Sequence, residues 1–215
     1  MDRYTETFET WNKIALLYQD KFMNLTIYNE TYDFICASIP KAGASILETG
    51  CGPGNICQYL LHKRPDYRIT GIDIAPDMIA LAKKNNPTAS FEVMDSREIS
   101  KLNKRYDGIV CGFCLPYLSP EDAKQFIKDC NTLLVDDGFL YLSFVEGDPN
   151  KSGFQVGSTG DRSYFYFYRL EDLINQLKDN GFVDLQVLKV EYFRTTELKE
   201  VHTILTGLNG RAKKV

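Results

Sequence analysis

One stretch narrows the possible folds more than any other. In Ile46-Leu-Glu-Thr-Gly-Cys-Gly-Pro-Gly-Asn55 an apolar run ends on acid, three glycines follow at 50, 52 and 54, and a helical pattern begins. Glycines at such a bend let the main chain turn tightly and bring a ligand against the backbone. A turn needing positive φ accounts for one of them and poorly for three. A strand running through a glycine loop into a helix opens a doubly wound α/β sheet, whose ligands bind at the carboxyl ends of the strands.

The rest of the chain agrees with that opening. Phe8, Trp11, Ala15, Tyr18 and Phe22 recur at helical steps, and Asn29 to Ile39 read as a further helix stopped by Pro40. Strands then alternate with helices: Ser45–Thr49, Arg68–Asp73, Ser90–Met94, Tyr106–Gly112 and Phe139–Phe144, the last entered through a turn at Asp136-Asp-Gly138. Pro76 opens one of the intervening helices, a favourable place for proline. Such alternation predicts a parallel sheet covered on both faces. Polar residues 146–162 read as a surface excursion, and Tyr164–Tyr168 as a strand. Glu171–Asn180 reads as a helix capped by Gly181, and Phe182–Phe193 with Glu200–Leu205 as a closing hairpin. We expect one domain over 1–215: a helical cap (1–40), a ligand-binding core (41–145), an acceptor-side excursion (146–168), and a closing helix and strands (169–215).

Composition removes several classes of function. A chain of 215 residues, 44% hydrophobic and carrying a net charge of −4, has core enough for one domain and no basic surface for a phosphate backbone. Arg211, Lys213 and Lys214 read as a solvated tail, so no nucleic-acid partner is expected. No apolar run reaches about 18 residues and no signal core opens the sequence, so neither membrane insertion nor export is expected. Cysteines 36, 51, 57, 111, 114 and 130 then read as thiols of the cytoplasm. Cys111-Gly-Phe-Cys114 has redox spacing. It follows a strand without opening a helix and lacks a second pair to complete a zinc site, so packing or a place in a pocket wall is the expected role.

Two further carboxylates follow strands. Asp73 ends the second, 23 residues past Gly50, where it can accept both hydroxyls of a ribose or cap the next helix. Asp95, after the third strand, can accept from an adenine amino group; capping of the next turn by Asp95 or Ser96 is the other reading.

Together, Leu47–Asn55, Gly71-Ile-Asp-Ile-Ala-Pro-Asp-Met-Ile79, Met94-Asp-Ser96 and Tyr106-Asp-Gly-Ile-Val-Cys-Gly112 resemble the successive motifs of class I S-adenosylmethionine-dependent methyltransferases. The likeness is to the small-molecule branch that includes ubiquinone- and menaquinone-biosynthesis enzymes, and is clear over residues 40 to 145. It implies a Rossmann-like, mostly parallel seven-stranded sheet with an antiparallel last strand and N-terminal helices over the cofactor cleft. The loop Gly50, Cys51, Gly52, Gly54 and Asn55 would lie against methionine and ribose, with Glu48 near the amino group. Asp73 would hold the ribose, Ile74 and Met78 would flank the adenine, and Asp95 and Ser96 would meet its edge. Cys111, Gly112 and Phe113 would flank the methionine. Tyr18 resembles a tyrosine that closes over the cofactor, while Trp11 and Phe22 on its face read as core.

The resemblance implies transfer of a methyl group to O, N or C of a small molecule, leaving S-adenosylhomocysteine. Alignment for in-line displacement supplies most of the rate, and an acceptor of raised pKa needs a base. Neither His62 nor His202 is expected to serve. Cys114-Leu-Pro-Tyr117 lacks the polar first residue of the stretch found in amino-group enzymes, and Val110–Leu118 has no carboxylate for a metal, so none is expected. Tyr117, Tyr164 and Tyr166 are acceptor-side candidates, with core packing an equal reading for the last two, and Asp148, Asp161 and Arg162 are possible polar contacts. No catalytic residue is assigned. A monomer or homodimer is expected. Two rivals stand: a nicotinamide-dependent oxidoreductase, whose third glycine would fall three after the second rather than two, and a cofactor-binding but non-catalytic partner protein.

Overall fold

The computed structural model describes residues 2–193 and 199–213, so that Lys214 of the basic terminal run lies outside the described residues. Three helices come first, α1 (Arg3–Lys13), α2 (Ala15–Phe22) and α3 (Asn29–Ser38). Strands and helices then alternate: β1 (Ser45–Thr49), α4 (Asn55–Lys63), β2 (Arg68–Asp73), α5 (Pro76–Asn85), β3 (Ser90–Val93), β4 (Tyr106–Gly112), α6 (Pro120–Leu133) and β5 (Leu134–Val145). A hairpin of β6 (Gly153–Val156) and β7 (Arg162–Phe165) follows, then α7 (Leu170–Asp179), β8 (Phe182–Phe193) and β9 (Lys199–Asn209).

Seven strands make one sheet in the order β3-β2-β1-β4-β5-β9-β8. β1 to β5 are parallel, β9 runs against β5, and β8 runs against β9. The strand that comes last in the chain is therefore the reversed one, as the resemblance implies. Burial explains the apolar strand sequences. Every residue of β1 is buried, because both faces of a parallel sheet are covered. Side chains alternate between those faces: Ile46, Val110 and Tyr141 enter a core under α3, α4 and α5, whereas Leu47, Ile109 and Leu142 enter one under α6 and α7. α6 begins behind Ser119, whose Oγ accepts from the Asp122 N–H at 3.1 Å. It buries Ala123, Phe126, Ile127, Cys130 and Leu133 at helical steps.

The structure differs from the sequence reading in four places. The first helical stripe is broken at Ile14 (φ −96°, ψ 14°), so Phe8 and Trp11 lie on one helix and Tyr18 and Phe22 on another. The excursion at 146–162 contains β6 and the start of β7, paired antiparallel. The tyrosine run is a strand only to Phe165; beyond it the Tyr166 N–H turns to the Pro116 carbonyl at 2.7 Å. β5 takes in Asp136-Asp-Gly138, with Asp137 left-handed (φ 56°) and its register against β4 shifting between Tyr106 and Gly108.

Phe126 is 1% exposed and anchors α6 to the sheet. We expect Phe126→Ala to lower the unfolding free energy by about 3–5 kcal/mol in urea denaturation, the usual cost of a large buried cavity. A loss under about 1 kcal/mol would show that this core repacks freely.

Candidate functional site

Thr49, Ile72 and Cys111 stand side by side in register, so β1, β2 and β4 end along one edge of the sheet. Beyond that edge opens a cleft. Its floor is Gly50 and Gly52 after β1, Asp73 and Ile74 at the end of β2, Met78 of α5, Asp95, Ser96 and Arg97 after β3, and Gly112, Phe113 and Cys114 at the end of β4. Its roof is Tyr4, Thr7, Phe8 and Trp11 of α1 with Tyr18 of α2, and Tyr117 and Leu118 close one side.

Gly50 (φ 61°) and Gly52 (φ 52°) both adopt left-handed backbone, which glycine reaches without steric cost. A Cβ on Gly50 would stand 2.6 Å from Cys114 Cβ, whereas one on Gly52 would meet only the Tyr18 ring at 3.6 Å, across the cleft. Asp73 holds the loop in this shape. Its Oδ2 accepts from the Gly52 N–H and its Oδ1 from the Ala75 N–H, each at 2.9 Å. Burial raises the Asp73 pKa and the two N–H donors oppose that rise.

Glu48 lies behind the loop, 1% exposed. Burial lifts its pKa to about 8, against a Cys57 N–H donor that lowers it and with help from the charge of Asp73. Its Oε2 is buried without a hydrogen-bond partner, as is Thr49 Oγ1 beside it. A buried polar atom left unpaired costs about 1–3 kcal/mol, and Glu48 meets part of that cost by keeping its proton at neutral pH.

The far end of the floor is charged. Asp95 Oδ1 accepts from the Arg97 N–H at 2.9 Å, capping the 3₁₀ turn Ser96–Lys101, and its Oδ2 takes the Arg97 Nε at 2.9 Å. The capping reading of Asp95 thus holds. The Arg97 guanidinium lies 3.9 Å from the centre of the Tyr4 ring. The Tyr4 O–H donates to the Asp122 carboxylate and its oxygen accepts from the Ser119 N–H at 2.8 Å, fixing the start of α1 to the start of α6.

The hairpin β6–β7 holds the rest of α1. Thr10 Oγ1 donates to the Arg162 carbonyl at 2.7 Å, Thr7 Oγ1 accepts from the Tyr164 N–H at 2.9 Å, Lys13 pairs with Asp161 at 2.8 Å, and Arg162 pairs with Glu6. Trp11 meets Tyr18 and Tyr117 edge-on at 5.6 and 5.3 Å. Burial pushes the Tyr18 phenol up to about 12.

Eleven residues singled out in the sequence therefore face one cavity: Tyr18, Gly50, Gly52, Asp73, Ile74, Met78, Asp95, Ser96, Gly112, Phe113 and Tyr117. Cys51 and Cys111 do not line it, because their side chains are taken into the two cores. Gly54 and Asn55 lie behind the loop, where α4 begins. Tyr164 and Tyr166 pack on the α6 face instead, under the Arg3 guanidinium, and Tyr166 is 5% exposed. Asp161 and Arg162 are spent on α1, and Asp148 accepts from the Asn150 N–H at 3.1 Å. Trp11, read as core, is in the cleft roof, because the break at Ile14 turns α1 across the sheet edge; Phe22 lies against Tyr18 outside the lining.

Sequence reading missed Tyr4, Thr7, Phe8, Arg97 and Leu118, whereas Cys114 lines the cleft, as its pocket-wall reading allowed. Only Arg97, two residues after a capping acid, carried a signal. It also missed that Phe113 is left-handed (φ 56°), its N–H tied to Ser143 Oγ at 2.9 Å. Cys114 sits 3.3 Å from Ser96 Oγ; its hydrogen bond with Cys111 and its burial push the Cys114 thiol well up, so that thiol has little thiolate character. Among the described residues no three His, Cys, Asp or Glu side chains are grouped to hold a metal, and no helix is long and apolar enough to cross a membrane.

Sheet order, glycine loop and carboxylates together define the fold of class I S-adenosylmethionine-dependent methyltransferases. Residues 46–138 match the model of a methyltransferase-domain family. The chain is 42% identical over 105 residues to malonyl-[acyl-carrier protein] O-methyltransferase of Acetivibrio thermocellus, covering 48% of this chain and 36% of that one. It is 28% identical over 122 residues to ubiquinone biosynthesis O-methyltransferase of Xanthomonas oryzae, covering 54% and 49%. The chain thus spans less than half the length of either relative. Among solved structures, magnesium protoporphyrin IX methyltransferase of Synechocystis with S-adenosylmethionine bound superposes with a TM-score of 0.71 at 18% identity, over 97% of both chains. The 1,6-didemethyltoxoflavin-N1-methyltransferase of Burkholderia thailandensis superposes with 0.69 at 20% identity, over 95% of this chain and 87% of that one.

Glu48 makes stability depend on pH. Its folded pKa of about 8 exceeds the ordinary glutamate value of about 4.3. Between those values the unfolded chain has lost the proton that the folded chain keeps, so stability falls as pH rises through the window. We expect Glu48→Gln to remove that slope, gaining more than about 1 kcal/mol on the native protein between pH 5 and pH 8 in urea denaturation. Parallel pH profiles would show that Glu48 ionises normally in the fold.

Proposed function

We propose that this chain binds S-adenosylmethionine in the cleft and transfers its methyl group to an oxygen, nitrogen or carbon of a small molecule, without a metal, releasing S-adenosylhomocysteine. The observation that carries the reading is the convergence on one cavity of a left-handed glycine loop, the Asp73 carboxylate beside it and the Asp95–Ser96 turn. The residues present suit the cofactor. Glu48 Oε2 is a buried acceptor with no partner, suited to an ammonium group. Nothing but the Tyr18 ring stands near the missing Cβ of Gly52, so a ligand can lie on the backbone there. The solved neighbours bound to S-adenosylmethionine or S-adenosylhomocysteine support the same cofactor. A net charge of −4 supports a small-molecule acceptor over a nucleic acid, and the reading takes the protein as a cytoplasmic monomer or homodimer.

When bound, the cofactor supplies a methyl group already activated by its sulfonium. This chain has to orient and enclose. Each Asp73 oxygen holds one backbone N–H and keeps a lone pair for a ribose hydroxyl. Ile74 and Met78 offer an apolar face to a base, with Ser96 and the Asp95 cap at its edge. Phe113, fixed by Ser143, walls the reacting end, and Tyr18 and Trp11 exclude water from above. Cys51, Gly54, Asn55 and Cys111 support the loop and the β4 end from behind.

Calorimetry with S-adenosylmethionine and S-adenosylhomocysteine tests this. Both are expected to bind, and Asp73→Ala to weaken both at least tenfold, since a charged hydrogen bond is worth about 1.5–3 kcal/mol. Absence of binding to the folded native chain would end the methyltransferase reading, and nicotinamide cofactors would be tried next. Binding of both ligands with no methyl transfer to any acceptor would favour the non-catalytic partner protein.

A further inference from the structure

We propose that the acceptor is a neutral alkylamine, whose nitrogen takes the methyl group inside a cage of the Trp11, Tyr18 and Tyr117 rings. The proposal rests on the methyltransferase reading and narrows its oxygen, nitrogen or carbon acceptor to one class.

The cage lies over the glycine loop. Trp11 of α1 meets the Tyr18 ring of α2 at 5.6 Å with the planes at 89°, and the Tyr117 ring at 5.3 Å with the planes at 73°. All three line the cleft, with Phe8 and Phe113 beside them. Tyr18 stands over Gly52, 3.6 Å from where a Cβ would be, and Cys114, three residues before Tyr117, stands against Gly50. The rings therefore cover the stretch of loop on which the methionine end of the cofactor would rest. An aromatic ring carries negative charge on its faces. Rings set nearly at right angles enclose a small positive group from several sides, which is how substituted ammonium ions are recognised.

The wall beside the cage has little to offer an anion. The Phe113 N–H goes to Ser143 Oγ, the Tyr117 N–H to the Cys114 carbonyl, the Leu118 N–H to the Leu115 carbonyl and the Ser119 N–H to Tyr4 Oη, at 2.8 to 3.0 Å. Among the described residues the one cation of the lining is Arg97, and its guanidinium is taken by Asp95 and the face of Tyr4. A carboxylate or phenolate set among these rings would meet their negative faces without a hydrogen bond, and burying an ionised group in that way is costly. Asp73 and Asp95 outnumber Arg97 in the lining, so its charge also favours a positive occupant.

The same lining is poor in bases. No histidine or lysine lines the cleft among the described residues, and its two carboxyl groups lie on the β2 and β3 side. Burial pushes the Tyr18 phenol up to about 12, so its ring stays neutral. An acceptor here must bring its own lone pair, as a neutral amine does. The step then balances without a base. The nitrogen lone pair forms the bond to the methyl carbon as the carbon–sulfur bond breaks, its electron pair going to sulfur. A sulfonium and an amine become a thioether and a methylated ammonium, so one positive charge crosses from sulfur to nitrogen without leaving the rings. A tertiary amine ends as a quaternary ammonium; a primary or secondary one gives its extra proton to water on release.

Choline stands in for the methylated product, and 3,3-dimethyl-1-butanol has the same shape without the charge. Calorimetry first establishes S-adenosylhomocysteine binding to the native chain, Tyr117→Leu and Tyr117→Phe. Each loaded protein is then titrated with both probes and with acetate, by calorimetry and by tryptophan fluorescence. Trp11 is the one tryptophan of the chain, so the emission reports on the cage. We expect choline to bind about tenfold or more tighter than its neutral isostere and to change the Trp11 emission saturably, and acetate to do neither. Tyr117→Leu should keep S-adenosylhomocysteine and lose the preference for choline, and Tyr117→Phe should retain it. The comparison of probes on the native chain does not depend on the folding of any variant. Choline that does not bind, binds no tighter than the butanol, leaves Trp11 unchanged or keeps its preference in Tyr117→Leu overturns the cage, as does acetate binding ahead of choline. If S-adenosylhomocysteine does not bind the native chain, the methyltransferase reading fails, and the same titrations on the unloaded chain decide the cage by itself.

Discussion

Asp73 is the smallest unit on which the rest of the site depends. One carboxylate, at the end of the second strand, accepts the Gly52 N–H with one oxygen and the Ala75 N–H with the other. The first bond sets the curve of the glycine loop; the second sets where α5 leaves the sheet. Both elements then present backbone and apolar side chains to one cavity. The Asp73 charge is desolvated by burial, a cost that two backbone donors offset in part. The same charge raises the pKa of Glu48 behind it. Two carboxylates under one loop thus meet different surroundings: Asp73 accepts two backbone N–H groups, and Glu48 leaves one buried oxygen without a partner.

The sheet edge divides the labour. Toward β3 the groups are polar and suited to a nucleoside: Asp95, Ser96 and the capped turn. Toward β5 and β9 the groups are rings: Phe113, Tyr28, His202 and Tyr192. Phe113 sits on the border, and its left-handed backbone is the one place in the floor where a side chain larger than hydrogen adopts a glycine-like φ.

The glycine loop and the strand-end carboxylates of this arrangement were legible in the sequence and the other half was not, for physical reasons. Gly50, Gly52, Asp73 and Asp95 announce themselves because a parallel strand must end before its loop can bind, so the residue type and its place after an apolar run go together. The reversed final strand was legible as well, through the family pattern. The roof was not. Phe8 and Trp11 repeat at the same helical steps as a core stripe, and only the break at Ile14 decides that they face a cleft. His202 was set aside because a histidine in a late strand has no local signature. It is buried against Tyr28, 174 residues away. Tyr164 and Tyr166 failed in the opposite sense: their alternation promised a shared strand face, and a carbonyl at Pro116 took the Tyr166 N–H out of the ladder.

The fastening of α1 to the hairpin gives the fold an uneven distribution of strength. Its bonds to β7 are two threonine hydroxyls and two ion pairs whose cationic partners are more than half exposed, and each such pair is worth about 0–1 kcal/mol. The sheet beneath is a continuous parallel core whose loss is the unfolding of the whole chain. α1 is therefore held to the hairpin by weak bonds, with Tyr4 and Asn12 adding ties to the starts of α6 and α5, and opening on the hairpin side is separable from unfolding of the sheet. The wall that Trp11 of α1 adds to the cleft can thus shift without a change in any strand.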